Sequence, residues 1–255
     1  MIVKLERPEN AAPLFVGWED TILWSCIQGV MGEVYGNDAL SPSCAMAILG
    51  DFCFLAGEPE EELVRFKPAE RRSDFIIMIP QNTAWAEWIE RCYGENAKKV
   101  TRYALKKEPD CFDREHLRQA AASLPEGYSL RELDETLYHW SRMQRWCCDW
   151  TSQYPDYASY RELGLGVVAL KDGVPVSGAS SYSSFRGGIE IEIDTHPEHR
   201  RRGLAYACGA ALILKCLERG WYPSWDAQNP WSLALAQKLG YHFDKAYTAY
   251  EILKY

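Results

Sequence analysis

"IDTHPEHRRRGLA" (residues 193–205) closes a segment of alternating apolar and acidic residues, sets three arginines in a row, and passes through one glycine into a long apolar stretch. The first N–H groups of a helix have no intrahelical partners, and the helix dipole makes that end positive. Arginines there are unfavourable for an isolated helix. They become favourable when an anion docks, because free N–H groups, dipole and guanidinium groups then act on one negative charge. Gly203 supplies a residue without a Cβ where backbone must approach a phosphate, and Ala205 keeps the first helical turn slim. The stretch therefore reads as strand, anion-binding turn and helix, with a solvated basic turn as the plainer alternative.

In the preceding strand, "IEIEID" (189–194), Ile189, Ile191 and Ile193 alternate with Glu190, Glu192 and Asp194, so three carboxylates share one face. Mutual repulsion and partial desolvation raise a carboxylate pKa toward neutrality, which suits a base that deprotonates an ammonium group. The wet face of a sheet would show the same alternation. Further upstream, "YSLREL" (128–133) reads as a strand, 134–153 as a Trp-rich helix, and "GVVALKDGVPVSGASSY" (166–182) as two strands joined by an Asp-Gly turn. Downstream lie a helix over 203–219, a short strand "YPSWDA" (222–227), a helix "PWSLALAQKLG" (230–240) and a last strand over 241–252. The first half reads as mixed α/β: a helix over 20–35, strands over 51–57, 74–80 and 98–105, and a helix over 83–94. A polar segment bracketed by prolines, 108–127, places the boundary between domains 1–125 and 126–255.

Composition narrows the function. A net charge of −8 and a pI near 5.3 argue against a nucleic-acid partner and suit cationic small molecules. Nine cysteines without a C-x-x-C, and five histidines, suggest neither a disulfide framework nor a metal site. The longest apolar run is too short to span a bilayer and the first residues do not resemble a signal peptide, so the expectation is a cytoplasmic protein with no membrane partner. The sequence leaves the oligomeric state open, a homodimer included.

Arg200-Arg201-Arg202-Gly203-Leu204-Ala205 fits R/Q-x-x-G-x-G/A and resembles the acyl-CoA pyrophosphate loop of the GNAT N-acetyltransferase superfamily. "NPWSLALAQKLGY" (229–241) is similar to the second motif of that superfamily. The resemblance covers roughly 126–255, and the N-terminal half resembles that of the two-domain subfamily that includes zwittermicin-resistance-type acetyltransferases. It implies a GNAT fold of α/β (α+β) class: a mixed, mostly antiparallel central sheet flanked by helices, with a smaller N-terminal α/β domain. It also implies acetyl-CoA as cofactor, held by Ile193, Asp194, Thr195, Arg200, Arg201, Arg202, Gly203, Leu204, Ala205 and Asn229. The implied reaction is direct acetyl transfer to the primary amine of a small molecule, with Glu190 as base and Glu192 as second candidate. Asn229 either contacts pantetheine or caps its helix. Many family members carry a general-acid Tyr where this chain has Ala236; Tyr241, His242, Tyr247 or water remain as substitutes. A protein that binds acyl-CoA without turnover is the alternative function. "QNTAWAEWIERCYG" (81–94) echoes "QNPWSLALAQKLGY" (228–241), so the first half is read as a degenerate GNAT-like domain that walls the acceptor side.

Overall fold

Short polar side chains start most of the helices. A computed structural model describes residues 1–255, and six of its eight α-helices begin on an Asp or Asn whose side chain accepts an N–H two or three residues on. Two compact units result, one made of 1–102 and 246–255, the other of 103–245.

The first unit contains β1 (Val3–Lys4), α1 (Thr21–Ile27), β2 (Glu33–Gly36), β3 (Cys44–Leu49), β4 (Phe52–Gly57), α2 (Glu61–Arg65), β5 (Ile76–Pro80), α3 (Thr83–Tyr93) and most of β6 (Ala97–Leu105). Its strands run in the order β1-β2-β3-β4-β5, antiparallel except for the parallel β4/β5 pair. Trp85 and Ile89 of α3 bury against Met46, Leu55 and Met78, and the Trp85 indole N–H donates to Gly57 O at 3.0 Å. The helix expected over 20–35 stops at Ile27. Gly29 and Gly32 take φ of 66° and 79°, and a Cβ at Gly32 would lie 2.7 Å from Ile48 O, so the chain turns there and continues as β2.

The second unit adds α4 (Arg114–Ala122), β7 (Tyr128–Glu132), α5 (Glu135–Arg142), α6 (Tyr157–Leu163), β8 (Gly166–Lys171), β9 (Val174–Phe185), β10 (Gly188–Thr195), α7 (Leu204–Glu218), β11 (Tyr222–Ser224), β12 (Asp226–Ala227), α8 (Pro230–Lys238) and the start of β13 (Phe243–Ile252). The end of β13, Tyr250–Ile252, pairs with β5 in the first unit. A five-stranded sheet runs β11-β10-β9-β8-β7, antiparallel except for the parallel β10/β11 pair. Asp172 and Gly173, at φ of 51° and 81°, make the tight turn between β8 and β9. On one face α7 buries Leu204, Cys208, Leu212, Ile213 and Cys216 with Val167, Ala169, Ile189 and Ile191. The mixed α/β class and mostly antiparallel sheets match the sequence reading.

The Trp-rich helix is shorter than expected: α5 ends at Arg142, and a turn of 3-10 helix follows at Cys148–Trp150. The polar helix at which the sequence reading divides 1–125 from 126–255 is α4, which packs on α7 inside the second unit.

Candidate active site

The longest helix, α7, departs from the capping pattern. Its N-cap is Gly203 at φ 78°, with no side chain satisfying the first N–H groups. Arg201 is also left-handed, at φ 61°, so two of three consecutive residues bend the chain sharply into the helix. No heavy atom lies within 4 Å of a Cβ built on Gly203; the space outside the turn is open. The Arg200 Nε donates to Thr195 O at 3.3 Å. Arg202 donates to the Tyr128 hydroxyl at 3.3 Å and to Glu198 O at 3.4 Å, and the same hydroxyl lies 3.0 Å from His199 Nδ1. Leu204 points into the core, so its exposed contribution is its N–H, while Ala205 is half-buried.

Ahead of this turn the sheet opens. β10 and β11 pair only from Gly188/Tyr222 to Glu190/Ser224; Asp226 and Ala227 then pair with Ala104 and Tyr103 instead. From Ile191 to Thr195, β10 keeps a strand neighbour only on its β9 side. Tyr222 N–H donates to Gly187 O toward β11, and His196 N–H donates to Val176 O on the β9 side. Backbone groups alternate along a strand, so the N–H and C=O of Ile191, Ile193 and Thr195 point into the opening. Glu190 sits at the point of divergence, where its Oε1 accepts the Asp226 N–H at 2.6 Å.

The three carboxylates lie on the face away from α7, as the alternation predicts. Glu190 is 4% exposed, and Glu192 and Asp194 are half-buried. Burial, then repulsion from Asp149, push the Asp194 carboxyl up to about 7 against the pull of Arg200. Between about pH 4 and 7 the folded protein therefore keeps a proton that the unfolded chain has released, and stability falls as pH rises through that window. Asp194→Asn removes this loss. Thermal unfolding should show the variant gaining on the wild type from pH 4 to 7, with the gain constant above pH 8; parallel curves would mean that Asp194 is ionised throughout.

Sequence reading missed what surrounds these acids. Ser183, Ser180 and Gly178 of β9 stand directly across from Glu190, Glu192 and Asp194, and opposed residues of an antiparallel pair share a face. The Trp150 ring lies on Gly178, where a Cβ would come within 2.7 Å of it. Ser180 Oγ donates to Trp150 O at 2.7 Å and pairs with the Tyr160 hydroxyl at 2.8 Å. Two buried polar atoms here have no hydrogen-bond partner, Trp150 Nε1 and Ser183 Oγ. The available signal was "SGASSYSS" (177–184), five serines in a strand that the pattern calls buried.

Asn229 caps α8, its Oδ1 accepting the Ser232 N–H at 2.9 Å. Ala236 is fully buried. The Tyr241 hydroxyl donates to Pro223 O at 2.5 Å in a buried setting that pushes its pKa well above the usual phenol range, so its proton is committed. His242 Nδ1 pairs with Glu108 at 2.7 Å, and Tyr247 belongs to the segment 246–255 of the first unit.

The GNAT acetyltransferase family model matches residues 12–250. The uncharacterized N-acetyltransferase YdfB of Bacillus subtilis (strain 168) is 26% identical over 251 residues, covering 90% of this chain and 89% of its own. The crystal structure of a GCN5-related N-acetyltransferase-like protein from Streptococcus suis 89/1591 is 46% identical. It superposes with a TM-score of 0.90 over 96% of this chain and 98% of its own. A tandem GNAT protein from the clavulanic acid biosynthesis pathway shares the fold at 13% identity, with a TM-score of 0.54 over 98% of this chain and 97% of its own. No helix is long and apolar enough to cross a membrane. The family match runs across almost the whole length and takes in both the α7 turn and the opened edge of β10, which leads to one conclusion: this chain belongs to the GNAT acetyltransferase family and is an acyltransferase.

Proposed function

We propose that the protein transfers the acetyl group of acetyl-CoA to the primary amine of a small molecule by direct attack. The observation that carries this reading is the uncapped N-terminus of α7, open at Gly203 and next in the chain to the unpaired edge of β10. The residues fit the cofactor. The first N–H groups of α7, with Arg200 and Arg202, would hold the pyrophosphate. The N–H and C=O groups of Ile191, Ile193 and Thr195 would pair with the amides of pantetheine as a further strand does. Arg201, at the exposed tip, would add long-range attraction for the phosphates.

Acetyl-CoA supplies an activated thioester when bound. Glu190 takes the proton of the acceptor ammonium, directly or through water, and Glu192 is the second candidate on the same face. The row of acids and the net charge of −8 favour approach of a cationic acceptor. With Ala236 at the usual acid position, the thiol of coenzyme A leaves as thiolate and is protonated by water; thiol pKa values near about 8.5 make that departure inexpensive at neutral pH.

The test is a panel of putrescine, glucosamine, lysine and a dipeptide with acetyl-CoA, read by free-thiol release and product mass. Thiol release matched by an acetylated amine supports the reading. Tight binding of acetyl-CoA without product across the panel would point instead to a protein that only senses acyl-CoA.

A further inference from the structure

Ser183 Oγ is fully buried and has no hydrogen-bond partner, although five serines occupy this stretch of β9 and others of them are bonded. Ser180 reaches Tyr160 and Trp150, Ser181 accepts the Leu165 N–H, and Ser177 and Ser184 donate to backbone carbonyls. Burying a hydroxyl without a partner is costly, and a methyl group in its place would relieve that cost. An orphaned buried hydroxyl therefore needs an explanation from something other than stability.

Its location supplies one. Ser183 is the direct cross-strand partner of Glu190, on the same face of the sheet. The register of β9 against β10 shifts immediately afterwards, between Glu190 and Ile191, and β10 parts from β11 at the same residue. Glu190 Oε1 already accepts the Asp226 N–H. Opposed Cβ atoms lie about 5 Å apart in such a pair, so a single water can reach both the hydroxyl and the carboxylate.

We propose that Ser183 is a positioning residue that holds the water through which the acceptor's proton reaches Glu190. This rests on the reading of Glu190 as base. The acceptor ammonium gives its proton to the water while the water gives one of its own to the Glu190 carboxylate. The freed amine forms the N–C bond and the S–C bond of the thioester breaks. The second nitrogen proton leaves through solvent and the departing thiolate takes one from solvent, giving a neutral amide and free thiol, and Glu190 then releases its own proton to solvent. Ser183 Oγ orients the water throughout and is not itself protonated or deprotonated.

The test combines Ser183→Ala, Glu190→Gln and the double variant with a high-resolution crystal structure of the wild type. Expected are an ordered water within hydrogen-bond distance of Ser183 Oγ and a Glu190 oxygen, and a Ser183→Ala melting temperature at or above wild type. With the best amine of the panel, Ser183→Ala should lower kcat about tenfold at unchanged KM for acetyl-CoA. It should shift the acidic limb of the pH profile and add nothing in the Glu190→Gln background. No water shared by the two side chains, wild-type turnover in Ser183→Ala, or losses that multiply in the double variant would each overturn the inference. Full turnover in Glu190→Gln would remove the base assignment itself, a different failure.

Discussion

Glu190→Gln is expected to cut turnover about 10²–10⁴-fold while acetyl-CoA affinity stays within about twofold, the scale of losing a general base. The amide keeps an oxygen to accept the Asp226 N–H, so the divergence of β10 from β11 survives and only the proton acceptor is lost. Glu190→Ala is the poorer experiment. It leaves a partly buried backbone N–H without its acceptor, at a cost of up to about 1–3 kcal/mol, and mixes stability with catalysis. Steady-state kinetics of Glu190→Gln beside Glu192→Gln decides the assignment: wild-type turnover in the first and a large loss in the second moves the base two residues along the strand, and wild-type turnover in both removes the carboxylate base.

Gly203→Val should abolish measurable binding of acetyl-CoA, a loss of more than about 100-fold. At φ 78° a Cβ projects into the open space outside the turn, where the pyrophosphate would sit, and meets no protein atom within 4 Å. A branched residue in left-handed backbone costs about 1–2 kcal/mol, which lowers the melting temperature without emptying a core site. Gly203→Ala carries less strain and the same Cβ, so it separates occlusion from instability. Calorimetry showing wild-type affinity in a folded Gly203→Ala variant would mean that the phosphates lie elsewhere.

The α7 turn was legible because its chemistry is local: a glycine, an arginine run and an apolar helix are contiguous in sequence. The hairpin was legible for the same reason, since Asp172 and Gly173 permit left-handed backbone and directly join the apolar run of β8 to the start of β9. Errors arose where local patterns conflict. Apolar spacing at Ile22, Cys26, Val30 and Val34 fits a helix, yet Gly29 and Gly32 turn the chain, and tight packing at Gly32 settles the outcome. "CAMAIL" (44–49) is buried on both faces as β3, so it shows no alternation to mark it as a strand. Asn229 could be read as a cap or a ligand group; its Oδ1 is engaged as a cap. Ser183 was invisible because its meaning depends on a cross-strand register with Glu190 that no window of sequence contains. Tyr241 looked available as an acid until its bond to Pro223 O was seen.

A crystal structure with acetyl-CoA tests the central claim most directly. The account predicts pyrophosphate oxygens within hydrogen-bond distance of the first N–H groups of α7, with guanidinium contacts from Arg200 or Arg202. Pantetheine should pair with the backbone of Ile191, Ile193 or Thr195, placing the thioester toward the Glu190 end of β10. Acetyl-CoA bound away from Gly203, with the Ile191–Thr195 edge untouched, would contradict it.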